Sequence, residues 1–247
     1  MLLNRRFFLT RLGRATIGVL VIGTTGCSRG TAAPAVDEAA SSTAAPSREP
    51  AVVEWHRVDL RLVSAYILVR ADQAAIVDTG WQGSAAAIQS GLKGVGLDWG
   101  SVAHVIVTHN HIDHIGSLPG VLERAAQATA YAGEDDIGAI KAPRPVTAVA
   151  DGDEVFGLEV IATPGHTAGH IAVLDRETGL LVAGDALRGA PDGTVAAPAA
   201  QYTEDMAAAH ESIRKLAGYR FDVAVFGHGD PVEQGASDAV ETLSGQL

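Results

Sequence analysis

A chain of 247 residues with 47% hydrophobic and 19% charged residues has enough apolar material for a sizeable core and is not a wholly disordered sequence. Its formal net charge of −11 becomes −15 once residues 1–26, with four arginines and no acid, are set aside, and a body that acidic repels phosphate backbones and disfavours nucleic-acid partners. One cysteine in the whole chain excludes an internal disulfide and leaves no thiolate for a site in the folded body.

The chain opens with Asn4-Arg5-Arg6-Phe7-Phe8-Leu9, a mildly apolar stretch from about Ala15 to Val21, and small residues up to Cys27. That is the layout of a signal peptide over residues 1–26, and the arginine pair resembles a twin-arginine export signal. The apolar stretch is too short to span a bilayer, although an uncleaved anchor is the alternative. Thr24-Thr25-Gly26-Cys27 resembles a bacterial lipobox, with Thr24 where leucine is usual. Lipidation of Cys27 would attach the protein to a membrane; ordinary cleavage would release it. Either outcome places the protein outside the cytoplasm, periplasmic or facing the exterior. Residues 27–50, rich in Ala, Ser, Thr and Pro, bury too little surface to order themselves and read as a linker. The folded domain is expected over residues 51–247.

From there short β-type runs appear at Val52–Leu60, Ser64–Arg70, Ala74–Val77 and His104–Thr108. A helix over Ser84–Lys93 presents Ala87, Ile88 and Leu92 on one face, and a second is expected over Ile112–Ala126, interrupted at Pro119-Gly120. Further strands are expected at Thr147–Ala150, Glu154–Ala162, His170–Asp175, Leu180–Ala183 and Val223–Phe226. The clearest helix has Thr203 as its expected N-cap, Met206, Ile213 and Leu216 at helical spacing, and Gly218 at its end. A last helix starts at Ala236. Strands and helices in both halves point to a layered α/β fold, two sheets inside helices.

Chemistry concentrates where the strand ending in Thr108 runs into His109-Asn110-His111-Ile112-Asp113-His114. In extended chain, side chains 109, 111 and 113 project to one side, and a turn can bring His114 to join them. Histidines at a strand end are often no more than polar surface, but four ligand-type residues in six are not explained that way. More candidates follow apolar strands at Gly165-His166, Gly184-Asp185 and Gly227-His228-Gly229, where glycine permits a sharp bend. The remaining histidines read otherwise. His104 and His210 are structural or exposed, His170 packs behind the site or supports it, and His56 has no evident role.

Asp78 in Asp-Thr-Gly, the His109–His114 run, His166, Asp185 and His228 occur in the order of the five motifs of the metallo-β-lactamase superfamily, which the chain resembles from about Val63 to Pro231. The resemblance implies an αββα sandwich of two mixed sheets flanked by helices. It implies a first metal on His109, His111 and His166, a second on Asp113, His114 and His228, Asp185 bridging them, and Asp78 orienting ligands from behind. Two zinc ions, with iron or manganese as alternatives, would then act on a small-molecule substrate. A shared water, its pKa lowered between ions about 3.5–4 Å apart, would attack an ester, thioester or lactone carbonyl, with Asp113 and Asp185 as the catalytic carboxylates.

Departures from the pattern bear on substrate. Zinc β-lactamases typically have Cys or Ser where Asp185 stands, glyoxalase-type thioesterases carry a helical domain after the last histidine, and quorum-signal lactonases have a tyrosine shortly after the bridging Asp, where this chain reads Ala186-Leu187-Arg188. Arg188 is either an anion contact or a solvated loop residue. A mononuclear-iron sulfur dioxygenase, a β-lactamase and a metal-clipped surface protein stand as the alternative readings, the last weakened because a structural zinc needs only four ligands.

Overall fold

The computed structural model describes residues 53–247; the expected export signal and the expected linker fall outside the described residues. Among those described, no helix is long and apolar enough to cross a membrane.

Strands β1 (Glu54–Asp59), β2 (Ser64–Arg70) and β3 (Gln73–Val77) form an antiparallel meander, and β4 (Val102–Ile106), β5 (Thr129–Gly133) and β6 (Val146–Val149) add to it in parallel, giving a six-stranded mixed sheet in chain order. The parallel steps need crossovers, which α1 (Ala85–Gly94), α2 (Ile112–Ile115), α3 (Leu118–Arg124) and α4 (Glu134–Ile137) supply. The second half builds β7 (Glu154–Val155), β8 (Leu158–Ala162), β9 (Ile171–Asp175), β10 (Leu180–Val182), a small ribbon of β11 (Arg188–Gly189) and β12 (Val195–Ala196), then α5 (Met206–Ala217), β13 (Val223–Val225) and α6 (Ala236–Ser244). Its five-stranded sheet runs β13-β10-β9-β8-β7, with β13 parallel to β10 and the rest antiparallel.

Period-two alternation sorts the side chains into three apolar layers. Ala65 and Ile67 of β2 point outward to Ile88 and Leu92 of α1 and Leu118 and Leu122 of α3. Tyr66 and Leu68 of the same strand point inward, where they share a core with Val160, Val173 and Val182 of the second sheet. Ala172 and Leu174 of β9 face the other way, onto Ile213 and Leu216 of α5 and Val240 of α6. Each fully buried Leu or Ile here contributes about 1.5–3 kcal/mol of transfer free energy. The expected αββα sandwich is therefore the observed architecture.

Several boundaries differ from the sequence-based expectation. Glu154–Ala162 is not one strand but a hairpin, because Phe156 and Gly157 both take positive φ (58° and 74°), as a tight primed turn requires. The Ile112–Ala126 helix breaks at Gly116-Ser117, while Pro119 lies in the first turn of α3, where a missing N–H leaves no bond unmade. Asp205, not Thr203, caps α5, its carboxylate accepting the Ala208 N–H at 3.0 Å. Strand β5, Thr-Ala-Tyr-Ala-Gly, went unforeseen because alanine and glycine carry almost no strand signal.

Candidate metal centre

Strand β4 delivers the site. Beyond it Thr108 is held by Asp78, whose carboxylate accepts the Thr108 N–H (2.8 Å) and hydroxyl (2.7 Å) and also the His114 Nδ1–H (2.7 Å). To reach both, Asp78 takes a left-handed backbone (φ 60°), a conformation costing roughly 1 kcal/mol that short polar residues tolerate best. Thr79 adds its N–H and hydroxyl to the His114 carbonyl. With Nδ1 of His114 committed to Asp78, its Nε2 lone pair faces the site. His109 Nδ1 lies 3.0 Å from the Thr108 hydroxyl and leaves its Nε2 facing the same way.

The expected alternation of 109, 111 and 113 does not occur. His111 is the N-cap of α2, so Asp113 and His114 come from a helical turn rather than from extended chain. Convergence is achieved all the same. His109 Nε2 and His166 Nε2 lie 3.1 and 3.0 Å from His111 Nδ1. Those spacings approach the edge of a tetrahedron about a zinc ion with 2.0–2.1 Å bonds, about 3.3 Å. On the other side, Asp113 Oδ2 is 3.3 Å from His228 Nε2 and 3.8 Å from His114 Nε2. Asp185 sits between the groups, Oδ2 being 3.4 Å from His166 Nε2 and 3.2 Å from His228 Nε2, and Oδ1 3.5 Å from His114 Nε2.

Two observations test whether a cation fits. His114 Nε2 and Asp185 Oδ1 are buried without any hydrogen-bond partner, a state costing about 1–3 kcal/mol per group unless an ion satisfies them. Gly227 lets them close together, since a Cβ there would lie 2.1 Å from Asp185 Oδ1 and 2.5 Å from His114 Cε1. The donor set suits divalent metal: His109, His111 and His166 form one candidate group, Asp113, His114 and His228 another, with Asp185 also grouped with His109 and His114.

Charge is distributed accordingly. Burial tends to lower the His114 pKa, but the Asp78 and Asp185 carboxylates outweigh it and raise it. Hydrogen bonds to Asp113 and Asp185 push His228 up to about 10. Burial works to raise Asp185, yet His114 and His228 hold it below the usual carboxylate range. Burial keeps His166 down at about 4. A cation would compete with protons for the Nε2 atoms of His114 and His228.

The other histidines separate cleanly. His170, fully buried, donates through Nδ1 to the Thr163 hydroxyl (2.8 Å) and accepts the Asp185 N–H at Nε2 (2.9 Å), so it orients Asp185 from behind. His104 packs against Tyr131 and Phe156, His56 lies in β1, and His210 is half-buried on α5. Arg188 lines the cleft above the centre, its Nε donating to the Ala197 carbonyl. Sequence reasoning missed Asp136. Its carboxylate accepts from the Asn110 N–H, the Thr167 hydroxyl and the Gly169 N–H, and the only sequence signal is one acid among three in Glu134-Asp135-Asp136.

Burial holds the His170 pKa at about 3, well under the ordinary 6.5. Between those values the unfolded chain binds a proton that the native chain refuses. The contribution of His170 to stability is therefore constant above pH 6.5 and falls as pH drops toward 3, by up to about 1.4 kcal/mol per pH unit for this one proton. Urea unfolding of the metal-free chain is expected to show stability falling from pH 7 to 5, with His109 and His166, also lowered by burial, adding to the slope, and His170→Asn to make it shallower by up to about one proton. Equal slopes would contradict the assignment.

Comparisons with known proteins identify the family. The model of the metallo-beta-lactamase superfamily matches residues 58–228, a span that begins in β1 and ends on His228. The chain belongs to the metallo-beta-lactamase superfamily. It is 33% identical over 171 residues to metallo-beta-lactamase domain-containing protein 1 of Xenopus laevis, covering 66% of this chain and 70% of that protein. It is 36% identical over 119 residues to the hydroxyacylglutathione hydrolase of Ectopseudomonas mendocina (strain ymp), a match spanning 47% of this chain and 42% of that enzyme. A metallo-beta-lactamase family protein of Thermus thermophilus superposes with a TM-score of 0.63 over 78% of each chain at 24% identity, which shows a shared fold. As a member of this superfamily the chain is a metallo-hydrolase.

Proposed function

We propose that the protein is a dinuclear zinc hydrolase of carboxylic esters, thioesters or lactones whose acyl or leaving group is apolar. The observation that carries this is the junction of seven converging ligand side chains with an apolar cleft. His109, His111 and His166 would hold one ion, Asp113, His114 and His228 the other, and Asp185, which faces ligands of both, would bridge. Bound divalent ions supply a lowered water pKa and polarisation of a carbonyl. The chain's own groups do the rest. Asp113 and Asp185 face the cleft, accept a hydrogen bond from entering water and so aim its lone pair. Asp113, the more exposed of the two, returns a proton to the departing oxygen or sulfur.

The cleft, about 590 Å³, narrows substrate choice. Leu62, Trp81, Ile112 and Tyr202 are the large hydrophobic side chains that stand exposed among the described residues, and all of them line it. Such surface beside a reactive centre is what an apolar substrate group would cover. The hydroxyacylglutathione hydrolase relative supports a thioester within the range tested.

A panel of aryl esters, thioesters, lactones and β-lactams tests the reading. Among p-nitrophenyl esters, kcat/KM is expected to rise from acetate to hexanoate. Trp81→Ala should raise KM for hexanoate on the order of tenfold, the loss of roughly 50 Å² of apolar contact, while acetate changes little. Indifference to chain length in the wild type would overturn the apolar assignment.

A further inference from the structure

Two sets of side chains outside the candidate ligand groups hold the ligand loops, and they hold different halves of the centre. The first is built on Asp136, in the third position of α4 and 1% exposed. Its Oδ2 accepts the Asn110 N–H at 2.9 Å and the Thr167 hydroxyl at 2.7 Å, and its Oδ1 accepts the Gly169 N–H at 2.8 Å. Asn110 lies between His109 and His111, and Thr167 directly follows His166. One carboxylate therefore ties together the backbone carrying all three histidines of the first position. The joint is closed: a Cβ on Gly169 would lie 2.4 Å from the Asp136 nitrogen, and one on Gly133 would lie 2.0 Å from the Gly169 oxygen. Nothing larger than glycine fits between the two loops.

The second set is built on Arg57 in β1. Its guanidinium donates to the Gly229 carbonyl and the Asp230 carboxylate, both at 2.9 Å, and through Nε to the Ser64 hydroxyl at 2.8 Å. The β1–β2 turn completes the grip, Ser64 N–H donating to the Gly227 carbonyl at 2.8 Å and the Leu62 carbonyl accepting His228 Nδ1–H at 2.5 Å. Every one of these contacts falls on the loop that carries His228, a residue of the second position, or on the turn that grips it. None reaches His109, His111 or His166.

We propose that Asp136 is the positioning residue that sets the affinity of the first metal position, and that Arg57 does the same for the second, so that the two positions are tuned separately. The inference rests on the reading of the centre as dinuclear. Physically, a ligand held at its coordinating geometry before the ion arrives loses less conformational freedom on binding. Asp136→Asn keeps the shape but turns an amide NH2 toward a donor that had met an oxygen, so one of three bonds becomes a repulsion.

The test is a stepwise zinc titration of the purified full chain against a chromophoric chelator, repeated with cobalt so that the absorption spectrum reports each site's geometry. His111→Ala identifies the step that belongs to the three-histidine position. In Asp136→Asn that step is expected to weaken 10- to 100-fold, the range found for groups that orient ligands, with the other step unchanged. In Arg57→Gln the pattern should be reversed. Thr167→Val, which removes one of the three bonds at constant shape, should move the first step in the same direction by less, and it carries the test if Asp136→Asn does not fold. Two wild-type steps that neither variant alters, or that both variants weaken alike, would overturn the proposal as a mere effect on folding. A wild type that binds fewer than two ions would instead overturn the dinuclear reading on which it rests.

Discussion

His166→Ala is expected to lose the first metal and with it nearly all turnover. His109 Nε2 and His166 Nε2 each stand about 3 Å from His111 Nδ1, and deleting His166 leaves two imidazoles and the Asp185 carboxylate already assigned to the bridge. His170, whose ring lies 6.0 Å from that of His166, has both its ring nitrogens engaged, one with Thr163 and one with the Asp185 N–H. Loss of the ion removes several kcal/mol of carbonyl and water activation, and about 4 kcal/mol corresponds to a fall in kcat/KM on the order of 1000-fold. His111→Ala should behave alike. His170→Ala, in contrast, should keep the metal and lose only the orientation of Asp185. Elemental analysis and kinetics on the three variants check this, and equal metal loss in all of them would show that the ligand set is misassigned.

Asp185→Asn isolates the bridge. The substitution keeps the shape but replaces a carboxylate, whose Oδ2 is 3.4 Å from a first-position nitrogen and 3.2 Å from a second-position one, with a neutral amide. A neutral amide oxygen in the place of Oδ2 bridges poorly, and the NH2 in the place of Oδ1 would face His114 Nε2. Partial loss of the second ion and a fall in kcat on the order of 100-fold are expected. Stability should suffer less than activity, because the first position keeps its three histidines and the crowding of Asp113 and Asp185 is relieved in any metal-free fraction. Two retained ions and wild-type kcat would refute the bridging role.

The sequence made the centre more legible than its supports. Ligand types crowded into His109–His114 and isolated behind glycines at His166, Asp185 and His228 are readable because metal chemistry restricts which residues can serve. Strands that are short apolar runs, such as β2, and helices with clear spacing, such as α1 and α5, were readable for the same kind of reason: burial dictates the pattern. What escaped notice was set by tertiary contact. Asp136 and Arg57 look like ordinary surface charges in sequence, and only the folded chain shows their hydrogen bonds to distant loops. The fold of residues 154–162 turned on positive φ at Phe156, which phenylalanine does not advertise, and the cap of α5 on a choice between Thr203 and Asp205, either of which is chemically able.

Metal content tests the central claim most directly. The purified chain, loaded and then freed of loosely held ions by gel filtration, should contain two zinc ions per molecule by mass spectrometry of the elements, and His166→Ala fewer than two. A single iron per chain would contradict the account and favour a mononuclear oxygenase centre instead.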